Sequence, residues 1–374
     1  MIKSKFTTVE AIMLVLTIFL TPSILSMPKN LIDTTRSSIL INIVYVTIIA
    51  IFIAILIYRL LKNFPSYDII DISEYLGGKC FKSIIGTIFI LYFLISSSIL
   101  LRNFCECLKM VYYPMTSVVF IVLAFIIATC LSSKLEFSTA VKVNVIVLPL
   151  LVISVLFIFF ANIKNFSFEN IFPILGEGIY NTFIMGLGNL GAFLGIIILY
   201  FLPPYLKKPE DMKKIAITTT IIAGIYMLFC VSIILFMFRF LLNVDEVIPL
   251  YYTTRYIEFG DFFQRLESFF LFIWILVLTS FVTINIKLSM DIFKKLTNTQ
   301  NISPMVYSFG LIIFSIAIFP KDYAVSKFIE STLYSYWTFG ISFALGIVIL
   351  IFANLKKRKN AHLPKQKEVL EANE

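Results

Sequence analysis

The sequence predicts an all-α integral membrane protein with about ten transmembrane helices. Apolar residues make up 59% of the 374 positions, charged residues only 14%, and the mean hydropathy is +0.95. Soluble domains are about half apolar and about one quarter charged. The 39 Phe residues would leave much aromatic surface in contact with water in a soluble globule of this length. Lipid is therefore the predicted solvent for most of the chain.

Apolar runs long enough to cross about 30 Å of hydrocarbon define the predicted spans. They cover residues 8–27, 39–61, 84–111, 117–131, 143–160, 180–202, 215–242, 263–288, 306–319 and 333–352. We expect residues 1–355 to form a single transporter-like transmembrane domain, with halves at about 8–161 and 180–353. Residues 356–374 form a basic and polar tail, and its cluster from Lys356 to Lys359 is expected against anionic lipid headgroups.

The distribution of basic residues predicts the orientation of these spans. About two thirds of the 31 Lys and Arg residues fall at the two ends of the chain and in the loops on the same side as those ends. The positive-inside rule therefore places both termini in the cytoplasm. The formal charge of +9 reflects topology in this interpretation, and no nucleic-acid partner is expected.

Two predicted spans contain residues that interrupt a regular helix. In the first span, Thr21, Pro22 and Ser23 break the apolar run, because proline removes an amide donor and clashes with the carbonyl four residues earlier. In the sixth span the interrupting residues are Gly186, Gly188, Asn189 and Gly191. Such backbone is tolerated inside a membrane only beside protein or a water-filled cavity.

Breaks at the start of each five-helix half are typical of an inverted-repeat transporter, in which half-helix ends hold a substrate near the midplane. The seven interrupting residues are thus the predicted ligand-binding residues. Free amides favour a carboxylate and free carbonyls favour an ammonium group, and an amino acid carries both groups. The alternative is that Pro22 only kinks a helix and that Gly191 and Gly195 form a helix-packing face.

Charged residues within the spans are the second group of candidates. Arg102 and Glu106 are four residues apart in the third span, so they share a helix face and can form an ion pair. Arg265 and Glu267 open the eighth span at the same level. These four residues are predicted to form gating or structural ion pairs, with anchoring of Arg102 at the headgroups as the alternative.

The sequence offers little support for an enzyme or a metal site. It contains no nucleophile–base pair, phosphate loop or carboxylate dyad. The five cysteines form no CxxC pair, and the single histidine, His362, has no other ligand type beside it. We expect no catalytic residue, no metal and no cofactor.

Four stretches resemble a known family. They are residues 21–25 in the first span, 101–106 in the third, 202–209 after the sixth and 261–268 before the eighth. In these stretches the chain resembles the spore germination proteins of the GerAB type, a branch of the amino acid/polyamine/organocation transporter superfamily. The resemblance covers nearly the whole chain and implies a LeuT-like fold of five plus five helices.

The resemblance also implies a function. A GerAB-type protein is the transporter-like subunit of a nutrient germinant receptor in the inner membrane of a bacterial endospore, beside an A-type membrane subunit and a C-type lipoprotein. It binds a small germinant, most consistently an amino acid, and its termini face the spore core. Two other interpretations stay open: a secondary amino-acid transporter coupled to an ion or proton gradient, and a purely structural membrane scaffold.

Overall fold

The computed structural model describes residues 5–25, 27–238, 249–257, 266–299, 302–332, 336–337 and 339–371, with side chains as far as residue 360. These residues are almost entirely helical, and the β-type pairing among them is an isolated bridge between Phe6 and Leu206. The prediction of an all-α protein is confirmed.

Twelve α-helices occur in the described ranges. They are α1 (Thr8–Leu20), α2 (Met27–Thr35), α3 (Ile39–Leu61), α4 (Ile69–Val111), α5 (Val118–Lys134), α6 (Phe137–Ala161), α7 (Met212–Met237), α8 (Pro249–Arg255), α9 (Leu266–Thr297), α10 (Met305–Ile318), α11 (Tyr323–Thr332) and α12 (Gly346–Glu371). The sixth span is a π-turn, Tyr180–Ile184, followed by a tight helix, Met185–Tyr200.

Seven helices in the described ranges are long and apolar enough to cross a membrane. An eighth candidate is the pair α10 and α11, which is bent by 114° at its junction. Two shorter apolar helices, Thr8–Ile24 and Val118–Lys134, coincide with predicted spans. The chain is thus an integral membrane protein by composition and helix length, while the count of ten spans and the inverted repeat stay predictions.

Helix α4 lies at the centre of the bundle. It packs along α9 and also against α5, α10, α11 and α12. Asp68 caps its start by accepting from the amides of Ile70 and Asp71, and Gly78, at φ +75°, separates a short first helix from the long apolar part. The positive φ explains why glycine is needed at this position.

Both ends of the described chain lie at one end of the bundle, here named the terminal face. Lys5 and Asp71 line the same groove there, and Lys356 donates to the carbonyl oxygens of Tyr75 and Leu76 at 2.8 and 3.1 Å. The Lys356 ammonium group therefore caps the end of the short first helix of α4 instead of facing lipid headgroups. Whether the terminal face is cytoplasmic stays a prediction.

Candidate ligand site at two broken spans

The first span is interrupted where the sequence predicted it. Helix α1 gives way to a 3₁₀ turn, Thr21–Ile24, and Leu25 then leaves helical geometry at φ −100° and ψ −135°. The Thr21 hydroxyl donates to the carbonyl of Thr17 at 2.5 Å, and both residues are buried. This carbonyl also accepts from the Thr21 amide, so the hydroxyl reinforces the last regular turn before Pro22.

Ser23 connects this break to the seventh span. Its Oγ donates to the Leu20 carbonyl at 2.5 Å and lies 3.3 Å from the hydroxyl oxygen of Tyr226 in α7. Ser23 is fully buried and Tyr226 is 3% exposed, so the contact is shielded from solvent. The break is therefore held in place by a neighbouring helix.

The sixth span is irregular along most of its length. Its first turn has π geometry, the following helix is 3₁₀, and Phe193 has non-helical angles of φ −99° and ψ 33°. Long 3₁₀ segments are uncommon, because their hydrogen bonds are less well aligned than those of an α-helix. The glycine-rich sequence thus produces a weakened span, as predicted.

Asn42 in α3 satisfies the open backbone of this span. Its Nδ2 donates to the carbonyl oxygens of Thr182 and Gly186, at 2.8 and 3.1 Å, and its Oδ1 accepts from Asn189 Nδ2 at 2.7 Å. A Cβ atom at Gly186 would lie 2.2 Å from Asn42 Nδ2. Sequence analysis named Gly186 and Asn189 but missed Asn42, whose only signal was an amide inside an apolar run.

The two broken spans meet in the bundle interior. The rings of Phe19 in α1 and Phe193 in the sixth span are 6.0 Å apart in an edge-to-face arrangement. A Cβ atom at Gly195 would lie 2.3 Å from the Phe19 ring. The absence of a side chain at Gly195 therefore permits the close approach of the two spans.

The other two predicted glycines occupy different environments. Gly191 is buried with Asn189 on the inner side of the sixth span. Gly188 is on the outside of the bundle, and an added Cβ there would meet nothing within 4 Å. The structure thus brings Gly186 and Asn189 together around Asn42, buries Gly191 in the same span and places Gly188 away from them. The contact of this span with the first span is at Phe19, beside Phe193 and Gly195.

A small cavity adjoins the first break. Its volume is about 10 Å³, which is room for one water molecule. The lining is apolar and aromatic: Leu25, Phe104, Cys107, Leu108, Val111, Tyr112, Tyr251, Leu271 and Trp274. The first break therefore borders a small apolar space in this structure.

Trp274 lines this cavity with its ring and also carries an unpaired donor. The residue is 1% exposed, and its Nε1 has no hydrogen-bond partner among the described residues. A buried N–H without a partner is unfavourable by about 1–3 kcal/mol. A ligand group that accepts a hydrogen bond would remove that penalty.

Two tyrosine hydroxyls close the cavity on the side away from the terminal face. Tyr251 in α8 donates to Tyr112 at 3.2 Å, and Tyr112 lies 3.4 Å from the Ser268 hydroxyl in α9. Helix α8 lies in the segment of the chain between α7 and α9.

Arg102 and Glu106 form the ion pair that the sequence predicted. Arg102 Nη2 lies 2.7 Å from Glu106 Oε1, and the two side chains are 4% and 8% exposed. Arg102 Nη1 also donates to the Ala317 carbonyl at 3.0 Å, at the end of α10. The guanidinium is thus inside the bundle and caps the C-terminus of α10. The structure does not have Arg102 anchored at the headgroups, which was the alternative.

The neighbouring Asn103 extends this cluster to α11. Its Nδ2 donates to Glu330 Oε2 at 2.7 Å, and both residues are 1% exposed. Sequence analysis missed Glu330 and the sharp bend between α10 and α11, for which Pro320 was the available signal.

Of the second predicted charged pair, Arg265 lies outside the described residues. Glu267 is half-buried at the start of α9, next to Ser268 and thus at the level of Tyr112. Tyr112 follows Arg102 by ten residues of helix, so Glu267 is about 15 Å along α4 from Arg102.

Among the described residues, no group of three His, Cys, Asp or Glu side chains could hold a metal ion.

A bundle of apolar helices, in which two broken spans meet through Phe19, Phe193 and Gly195, defines an integral membrane protein of the transporter-like class. The chain belongs to the spore germination protein family, whose sequence model matches residues 5–326. The resemblance noted in the sequence is thereby confirmed.

Two relatives in Bacillus subtilis (strain 168) match this chain over nearly its whole length. Spore germination protein YndE is 25% identical over 370 residues, covering 95% of this chain and 98% of the relative. Spore germination protein A2 is 26% identical over 374 residues, covering 95% and 97% of the two chains. The likeness is thus to whole proteins and not to a shared fragment.

Proposed function

We propose that this protein is the GerAB-type membrane subunit of a nutrient germinant receptor, and that it binds a small amino acid at the broken first and sixth spans. Binding shifts the bundle between two states and signals to A-type and C-type partner subunits in the inner spore membrane. The protein acts as a sensor and not as an enzyme, and its termini face the spore core. Membership of the spore germination protein family supports this assignment.

The observation that carries the proposal is the small cavity at the first break. Its wall combines Leu25, which follows the interrupted turn, with aromatic side chains, among them Trp274, whose Nε1 is unpaired among the described residues. Backbone groups at the break suit the two charged ends of an amino acid. The apolar lining suits a small uncharged side chain, because a charged one would be desolvated without a partner.

Ligand-dependent thermal stabilisation tests this proposal. The purified protein is screened in detergent or lipid nanodiscs against the amino acids and a set of sugars. A ligand at 100 times its Kd stabilises the folded state by about 2.7 kcal/mol. We expect a shift with small apolar amino acids and none with sugars or charged amino acids. Absence of any shift across the set would contradict the proposal.

A secondary transporter is the second candidate function. A groove opens at the terminal face beside the inner ends of the first and sixth spans, which is where a transported molecule would leave. Uptake of the labelled stabilising amino acid into liposomes, under ion and proton gradients, separates the two functions. Sustained uptake by the protein alone would favour transport over sensing.

A further inference from the structure

A groove lies between α5 and α6 on the side of the bundle. Both helices pack along α9 but contact each other little, so α9 forms the floor of the space between them. The volume of this space is about 160 Å³. We name it the lateral groove, and its lining residues are Ser132, Leu135, Ala140, Val143, Val147, Leu276, Thr279, Ser280 and Thr283.

The lateral groove opens toward lipid. Large apolar side chains next to lining residues in the sequence are exposed, among them Leu131 of α5 and Ile146 of α6. Helices α6 and α9 are long and apolar enough to cross a membrane, so these exposed side chains are solvated by the bilayer. A molecule that fills the groove therefore comes from the bilayer and not from water.

The groove runs parallel to the helices that form it. Ala140 and Val147 are seven residues apart on one face of α6, and Leu276 and Thr283 are seven apart on one face of α9. Seven residues of helix extend about 10 Å. The groove thus has the direction of a lipid acyl chain, which lies along the spans.

The floor of the groove is made of small side chains. Of the four lining residues on α9, three carry hydroxyl groups. The hydroxyls of Thr279 and Thr283 donate to the carbonyls of Ile275 and Thr279 in their own helix, each at 2.8 Å. These donors are used within α9, so the floor needs no polar partner from a molecule in the groove and suits an apolar chain.

One end of the groove lies at the terminal face. Phe137, at the start of α6, packs edge-on against Phe6 with ring centroids 5.3 Å apart. Lys287 follows Thr283 by one turn of α9 and donates to the carbonyl of Leu135, which lines the groove. The ammonium group of Lys287 is therefore placed at the terminal end of the groove.

The charged residues around this end carry an excess of positive charge. Three lysines and two carboxylates occur next to the lining residues or within one turn of Lys287: Lys134, Glu136, Lys142, Lys287 and Asp291. The set has one net positive charge, which one phosphodiester would neutralise. An anionic lipid headgroup thus complements this end of the groove.

The groove is separate from the cavity at the first break. Leu271 and Trp274 of α9 line that cavity, whereas Ser280 and Thr283 line the groove. With about 3.6 residues per turn, the two pairs lie on opposite faces of α9. A chain in the groove would pack behind the helix that lines the cavity, outside the proposed ligand site.

We propose that the lateral groove binds one acyl chain of an anionic glycerophospholipid, with the lipid phosphate held between Lys142 and Lys287. The lipid fills the gap between α5 and α6 and connects the start of α6 to α9. The opening toward the bilayer, the direction of the groove and the excess of basic charge at its terminal end all support this occupant. The proposal does not depend on the proposed function.

Native mass spectrometry tests the choice of headgroup. The purified full-length chain in a mild detergent is titrated with palmitoyl-oleoyl phosphatidylglycerol and, separately, with the phosphatidylcholine that carries the same chains. We expect phosphatidylglycerol to bind about tenfold more tightly, because its headgroup has no cation to oppose the lysines. Equal binding of the two lipids would overturn the proposal.

Filling the groove tests its location. Ser280 is half-buried in the floor, so Ser280→Phe places a ring where the acyl chain would lie, and we expect binding of phosphatidylglycerol to be lost. Ile146→Phe is the matched control, because Ile146 is exposed on α6 outside the groove, and it should bind like the unaltered chain. Ala140→Leu, on the α6 wall, replaces Ser280→Phe if that variant does not fold. Unchanged binding after the groove is filled would overturn the proposal.

Removal of single charges tests the phosphate contact. Lys142→Gln should bring the affinity for phosphatidylglycerol close to that for phosphatidylcholine. Lys213→Gln is the control, because Lys213 is an exposed lysine in the first turn of α7 at the same face. Equal weakening by the two variants would show a general attraction of basic residues for anionic lipid and would overturn the specific site.

Photocrosslinking in vesicles locates the chain directly. A phosphatidylglycerol with a diazirine on its acyl chain should label peptides that contain residues 132–147 and 276–283, and Ser280→Phe should remove this labelling. Labelling confined to other helices would overturn the proposal. A dimer that Ser280→Phe disrupts, with no lipid bound, would show that a second copy occupies the groove and would overturn it as well. Each of these failures leaves the ligand site at the broken spans untouched.

Discussion

The side-chain nitrogen of Asn42 lies 3.1 Å from the carbonyl oxygen of Gly186, where a β-carbon on Gly186 would overlap it. The pair shows how this bundle tolerates a broken helix inside a membrane. A regular helix satisfies its own carbonyls, whereas here an amide from another span does so. Close approach of that amide requires a residue without a side chain at position 186.

Substitution of Asn42 tests the importance of this contact. Asn42→Ala removes a donor from two buried carbonyls and leaves Asn189 Nδ2 with its longer bond, 3.4 Å, to the Leu31 carbonyl, so we expect a loss of about 2–5 kcal/mol in the free energy of unfolding. Asn63→Ala is the control, because Asn63 is exposed and its side chain makes one hydrogen bond, to Asn354. Denaturant unfolding in micelles measures both. Equal, small losses would mean that the sixth span does not need the amide.

Gly195 provides a steric test of the contact between the two broken spans. A methyl group there would lie 2.3 Å from the Phe19 ring, so Gly195→Ala should destabilise the protein by about 1–3 kcal/mol. Gly188→Ala is the matched control, since nothing lies within 4 Å of an added Cβ, and it should leave the melting temperature unchanged or slightly raised. Adding Phe19→Leu should recover much of the loss at Gly195. If both alanines behave alike, the two spans do not approach each other as described.

The elements that sequence could predict are those with local causes. Proline and clustered glycine weaken a helix wherever they occur, so the breaks at Pro22 and Gly186 were predictable. The ion pair between Arg102 and Glu106 was also predictable from their spacing, because residues four apart share a helix face. By contrast, the partners Ala317 and Glu330 are more than two hundred residues from α4 in sequence, and no local pattern identifies them.

The role of Gly188 shows a second limit. Gly186, Gly188 and Gly191 are indistinguishable in composition, but the helical turn directs 188 outward and 186 and 191 inward. The direction of each residue depended on the tight geometry of the sixth span and on Asn42, neither of which the sequence revealed. A substitution at Gly188 therefore reports on the outer surface, and the steric test belongs at Gly195.

The buried pair of Arg102 and Glu106 yields a prediction about charge. Arg102→Ala removes the partner of a carboxylate that is 8% exposed, and we expect a loss of about 3–5 kcal/mol. Arg36→Ala is the comparison, because Arg36 and Glu177 are 38% and 57% exposed, and such a pair contributes less than about 1 kcal/mol. Glu106→Gln combined with Arg102→Gln should restore part of the stability, since no charge is then left unpaired. A small effect at both arginines would show that water reaches the buried pair.

Trp274 separates ligand binding from stability. Trp274→Phe removes an indole N–H that has no partner among the described residues, which is stabilising, and it leaves a small space in the core, which is destabilising. The two effects oppose each other, so the melting temperature of the ligand-free protein should hardly change. If the bound amino acid accepts a hydrogen bond from Nε1, the same change should weaken binding about tenfold, the effect of about 1.4 kcal/mol. The chain contains two tryptophans, and Trp337→Phe, at a residue that is 45% exposed, should alter neither quantity. Thermal-shift titration of each variant measures both, and unchanged binding by Trp274→Phe would remove the indole from the site while leaving the backbone groups of the first break as its polar contacts.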